Sequence, residues 1–249
     1  MENRPPMTEA SRSSRRNRRT PQVRGNLLTS IVLVFPLLIL YELGVLFTDV
    51  MNGADLITQS LLRLVGVKGF VVVQLSLLVV LLGLVLYLRR RQKFELKIFI
   101  PVLLESGIWA LTMGTLIIFV MVDLLHIDPR LAAGGIARSG FFDRLVLSVG
   151  AGVHEELVFR LILLGGLAAA GERLLKLRPF VAIALAFLIS SALFSAAHHL
   201  GPLGEPLRLG VFVYRMIAGI IFGALFQFRG FAIAVYTHAL YDIYVLLLH

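Results

Sequence analysis

The sequence predicts an all-α polytopic membrane protein with about seven transmembrane helices and a short interfacial helix. Three observations carry this. Of the 249 residues, 58% are hydrophobic and only 16% charged, against about 45–50% and 25% in soluble domains. The apolar residues fall in blocks of roughly 18 or more, long enough to cross a bilayer. Lys and Arg gather between these blocks rather than within them.

Residues 1–25, rich in Arg, Ser and Pro, read as a basic disordered tail. Residues 26–249 form the integral membrane domain, with a motif-bearing core at 141–249. The first span runs from about Leu27 to Phe47 and reads as a retained span, because no convincing small-residue cleavage site follows it. Residues 50–68 mix Asp55, Gln59, Arg63 and Lys68 with leucines, which suits an interfacial helix. The second span, about Phe70 to Leu88, is followed by the basic run Arg89 to Lys93. The third covers about Ile98 to Leu125 and ends in a loop around Asp128-Pro129-Arg130. The fourth, about Phe142 to Ala170, carries Glu155, Glu156 and Arg160. The fifth runs from about Phe180 to His198, and the Gly- and Pro-rich stretch 201–206 breaks the chain after it. The sixth and seventh run from about Leu209 to Phe226 and Phe231 to Leu248.

The net charge is +9, yet its placement argues against nucleic acid: no basic patch is interleaved with aromatics. Seven arginines crowd the first 25 residues. Seven crossings with the N-terminus inside place 16 of the 24 Lys and Arg in the tail and cytoplasmic loops and six outside. That asymmetry predicts a cytoplasmic N-terminus in a cell inner membrane, with membrane lipid as a partner of the tail. The chain has no cysteine, which excludes disulfides, thiolate metal sites and a thiol nucleophile. No internal repeat appears, which weighs against inverted-repeat transporters.

Ionisable groups at bilayer depth cost several kcal/mol (roughly 2.5–3.5 on insertion scales) and tend to mark function. Here they form three sets. Glu156 and Arg160 are four apart and share a helix face, as an ion pair would, while Glu155 is rotated by about 100° and left for another task. Phe194 and His198 are four apart, with His199 beside them. His238 and Asp242 are again four apart. These residue types suit peptide hydrolysis, which needs a base to activate water and a donor to stabilise the tetrahedral oxyanion. Glu155, His198, His238 and Asp242 could alternatively bind zinc. His154-Glu155 does not begin an HExxH helix, since Val158 occupies the second histidine position. Glu42, Glu105 and Arg215 read as structural polar contacts, and Gly165-Gly166, Gly219 and Gly223 as close-packing positions. At about 1.5 Å rise per residue, His198 falls toward the outer side and His238 nearer the inner side, so a single site requires tilted or broken helices.

The ordered set EExxxR (Glu155, Glu156, Arg160), FxxxH (Phe194, His198) and HxxxN/D (His238, Asp242) resembles the CPBP family of intramembrane proteases. That family includes the Rce-type CAAX prenyl endopeptidases and bacterial bacteriocin-processing or immunity proteins. The resemblance covers about the last hundred residues. It implies an intramembrane endopeptidase acting near the C-terminus of membrane-associated or lipid-modified proteins or peptides. Glu155 would be the general base, with His198 assisting it. His238 and Asp242 would form the oxyanion-stabilising pair, Glu156 and Arg160 would order the site, and Phe194 would pack beside it against substrate. Asp242 stands where the family often has Asn, and an ionised carboxylate donates no hydrogen bond. It must then be protonated, orient His238 or help hold a metal. The family reading favours no cofactor, with zinc as the alternative. A subgroup of sorting enzymes, the myxosortases, shares the size and single-domain layout. A non-catalytic immunity or scaffold protein retaining the fold, and a proton-coupled transporter, are the competing classes.

Overall fold

The computed structural model describes residues 27–48, 56–91, 99–128, 140–200 and 206–248. The basic tail, the pair Pro129-Arg130 and most of the stretch 201–206 lie outside the described residues. Among those described, every regular element is helical. In order they are α1 (Leu27–Val45), α2 (Leu56–Arg91), and α3 (Phe99–Phe119), which runs on into a π-helical turn, Val120–Leu124. Then come α4 (Phe141–Gly150), two π-helical segments (Ala151–Glu155 and Leu157–Leu164) and α5 (Gly165–Arg173). The chain closes with α6 (Pro179–Ala197), α7 (Leu209–Arg229) and α8 (Phe231–Leu248).

Local chemistry sets several boundaries. Asp143 Oδ2 accepts the Gly140 N–H at 3.1 Å at the start of α4, satisfying one of the donors a helix N-terminus leaves open. Pro179 opens α6, where its missing N–H costs nothing. Gly230 separates α7 from α8 with φ +100°, a conformation that a side chain would strain. Gly66 breaks α2 with φ +64°, close to the expected division between interfacial helix and second span.

Among the described residues, four helical stretches are long and apolar enough to cross a membrane: Leu62–Gly83, Phe99–Leu124, Pro179–Ala197 and Leu209–Arg229. They correspond to the second, third, fifth and sixth expected spans, and the protein is a multi-pass membrane protein. The first and seventh contain shorter apolar stretches, Val32–Val45 and Phe231–Leu246. The fourth departs most from the expected uninterrupted helix. Its ionisable residues occupy a backbone whose hydrogen bonds widen to i→i+5 over Ala151–Leu164, with Glu156 as the one residue between the two segments.

The core centres on α8. Ala232 through Ala239 are all buried, so this helix is surrounded rather than amphipathic. Met113, Ile117 and Met121 from the α3 run and Phe222 from α7 pack against Ile233 and Val235. A Cβ at Gly152 would lie 2.8 Å from both Ala239 N and Val235 O, so the glycine lets the π-helical segment rest directly on the α8 backbone. Gly219 and Gly223 are close-packing positions as expected, against Ser191 and Phe187. Gly166 is not: a Cβ there would meet open space. Glu105 holds Arg229 through two contacts of 2.5 and 2.7 Å, tying α3 to α7. Gln74 Nε2 donates to Glu42 Oε2 at 3.0 Å, joining α2 to α1.

Candidate active site

The first motif lies on the widened helix, and both of its carboxylates are buried, Glu155 at 6% exposure and Glu156 at 0%. A π-helical stretch leaves carbonyls off the regular ladder, and neighbours supply partners. Ser190 Oγ of α6 donates to Phe159 O at 2.5 Å. The His154 ring bonds Gly150 O at 3.1 Å through Nδ1 and packs against Tyr41 of α1. π-Helical stretches are often found at functional sites.

Glu156 and Arg160 form the expected pair, NH1 to Oε1 at 3.2 Å, with both side chains sealed from solvent. The guanidinium lies 4.3 Å from the centroid of Phe194 and 5.3 Å from that of Phe222, in cation–π range, and Arg160 NH2 reaches Gly219 O at 3.4 Å. Glu156 has a second partner that spacing did not show. The His238 Nδ1–H donates to Glu156 Oε1 at 2.8 Å. Glu156 therefore orients His238 across 82 residues of chain. Asp242 Oδ2 stands 3.6 Å from the other ring nitrogen, Nε2. Of the three roles open to Asp242, orienting His238 through Nδ1 belongs instead to Glu156, because that carboxylate is already fixed by Arg160.

His198 is placed just past the end of α6. Its Nδ1 lies 2.8 Å from Phe194 O. A carbonyl only accepts, so Nδ1 carries the hydrogen and Nε2 is left facing the cleft. Nε2 stands 3.5 Å from Glu155 Oε2, and His238 Nε2 stands 3.9 Å from the same oxygen. The depth offset counted along the spans is thus closed: both imidazoles reach one carboxylate. Phe194, 2% exposed, fills the floor between Arg160, His198 and His238. Its ring meets both imidazoles edge-on and carries the Arg160 guanidinium over its face. Phe222 stacks flat on His238 at 4.3 Å; the sequence reading did not single it out. Its signal is symmetry about Gly230, since Phe222 and His238 each lie eight residues from the turn and so at one depth.

A zinc site would need its donors gathered around one point at about 2.0–2.2 Å. Among the described residues no group of three or more His, Asp or Glu side chains is arranged to hold a metal ion. Glu155 approaches Nε2 of both imidazoles, Asp242 Oδ2 also stands beside His238 Nε2, and His238 Nδ1 is committed to Glu156.

A multi-pass helical membrane protein with two imidazoles converging on a buried carboxylate belongs among candidate intramembrane hydrolases. Residues 137–244, which contain all three motifs, match the family model of type II CAAX prenyl endopeptidases, Rce1-like. That match bears out the resemblance to the CPBP family. No curated protein and no solved structure matches the chain.

Proposed function

We propose that this protein is an intramembrane endopeptidase that hydrolyses a peptide bond near the C-terminus of a membrane-associated or lipid-modified protein. The observation that carries the reading is the convergence of His198 Nε2 and His238 Nε2 on Glu155 Oε2, at 3.5 and 3.9 Å. A Rce1-like family match over the same residues supports peptidase activity.

Water bound between Glu155 and His198 would donate one hydrogen bond to each, because the carboxylate and the neutral Nε2 both accept. Glu155 takes a proton as the water oxygen attacks the peptide carbonyl carbon. The new C–O bond leaves an oxyanion. His238, when protonated at both nitrogens, directs its Nε2–H at that oxygen, and the nearby Glu156 and Asp242 carboxylates offset its charge. Collapse breaks the C–N bond, and the proton held by Glu155 passes to the leaving amine. Glu156 and Arg160 are positioning residues in this scheme, and Phe194 and Phe222 hold the rings at fixed angles. No metal takes part. The protein crosses the inner membrane seven times with its basic tail in the cytoplasm, in contact with anionic lipid. A C-terminal sorting segment, as myxosortases cleave, is one substrate of this chemistry.

The test is cleavage of a farnesylated C-terminal peptide by purified protein in liposomes, followed by mass spectrometry. Wild type should release a C-terminal fragment and Glu155→Gln should not. Equal cleavage by the variant would remove Glu155 from the mechanism.

A further inference from the structure

Arg215, which the sequence offers as a structural polar contact, lies on α7. Residues 212, 215, 219 and 222 of α7 recur at helical spacing and share one face. Gly219 and Phe222 touch site side chains, and Phe212 touches Ser195 and His199, on either side of His198 in the chain. Phe212 O accepts the Ser195 hydroxyl at 2.7 Å, and its ring stacks on His199. Gly219 O faces Arg160 at 3.4 Å, and Phe222 stacks on His238. Arg215 is therefore on the site-facing stripe, one turn from Gly219 and on the side where α6 ends in His198. It is partly exposed, whereas Arg160 is sealed. Beside Arg215, the Tyr214 and Tyr241 hydroxyls are hydrogen-bonded to each other, which pins α7 to α8 at this level.

Among the described residues, the other charged side chains named at the cleft are the carboxylates Glu155 and Asp242, since Glu156 and Arg160 form a sealed pair. An anionic substrate group would be repelled there except beside a cation. We infer that Arg215 determines substrate specificity by pairing with the free α-carboxylate of the peptide being cleaved. The inference rests on the peptidase reading above. A guanidinium fork matches a carboxylate through two parallel hydrogen bonds, which an amide terminus cannot reproduce. Arg215 is thus a recognition residue set apart from the proton-transfer atoms.

The test compares one farnesylated peptide bearing a free C-terminal carboxylate with its C-terminal amide, in phosphatidylcholine liposomes. Wild type should prefer the acid by about tenfold or more, mainly in KM, as expected for a charge-assisted contact. Arg215→Gln should bring the acid-to-amide preference close to one, and Arg215→Lys should retain part of it. A wild-type preference near one, or an undiminished preference in Arg215→Gln, overturns the assignment and leaves the peptidase reading standing. If Arg215→Gln does not fold, the wild-type ratio and Arg215→Lys still decide. Cleavage of neither peptide by wild type overturns the peptidase reading, and this inference with it.

Discussion

The α1–α2 pair and the α6–α7–α8 bundle are built from the same apolar residues and treat a polar side chain in opposite ways. In the span Leu62–Gly83 of α2 only 6% of the residues are buried within the protein, against 33% in Pro179–Ala197 and 39% in Leu209–Arg229. A helix facing lipid gains nothing by close approach, since lipid tails are as apolar as Leu. There, Gln74 donates a hydrogen bond to Glu42 across the pair. In the bundle, small residues bring backbones together, and the space between holds Glu155, Glu156, Arg160 and His238 buried, with His198 partly exposed beside them. A buried ion in that region is held by several partners at once, and removing one exposes the others to an uncompensated charge. The difference teaches that an ionisable residue in an apolar block is informative in proportion to how many helices surround it.

The comparison can be broken most directly at Glu155. Glu155→Gln keeps the shape and removes the base, so hydrolysis should fall by roughly 10²–10⁴-fold, measured by fragment release from liposomes. Full activity would reduce the bundle's buried charges to structure alone. Next is Arg160→Met, which leaves Glu156 buried without its ion-pair partner. It should cost about 3–5 kcal/mol of stability, read by thermal unfolding in detergent, and should lower kcat by freeing the carboxylate that orients His238. Glu156→Gln combined with Arg160→Met should recover part of the stability but not the activity.

Gly152→Val tests close approach. Its side chain would meet the α8 backbone, where no flexible atom can move aside, so activity should drop several-fold and the unfolding midpoint should fall. Gly166→Ala, into open space, should leave both unchanged, and equal effects at the two glycines would count against the packing account. The smallest effect belongs to the peripheral pair. Gln74→Leu should change stability by about 0.6 kcal/mol, the average for hydrogen bonds within membranes, and should leave cleavage untouched. A large loss there would erase the distinction between the regions. A chelator added to active protein should also leave the rate unchanged; loss restored by zinc would revive the metal alternative.

Much of this was legible in the residues themselves. Block length and Lys/Arg placement depend only on local composition and the thickness of a bilayer, so the helical, multi-pass class followed directly. Pairs four apart on one helix, such as Glu156 with Arg160, are fixed by helical geometry and need no tertiary information. The three motifs likewise declared their order along the chain. What lay beyond reach were contacts between helices. Periodicity says which residues share a face, not which faces meet, so the Glu156–His238 bond, the stacking of Phe222 and the site-facing position of Arg215 had to come from packing. The π-helical backbone also escaped, because its widened hydrogen bonds depend on partners such as Ser190 on another helix. For the same reason the two histidines, apart in depth by residue count, meet at one carboxylate. The sequence by itself determined the class of fold and the identities of the buried polar groups. The tertiary structure decided which of them face one another, because close approach at Gly152 sets where α8 lies against the widened helix and close approach at Gly219 sets where α7 lies against α6.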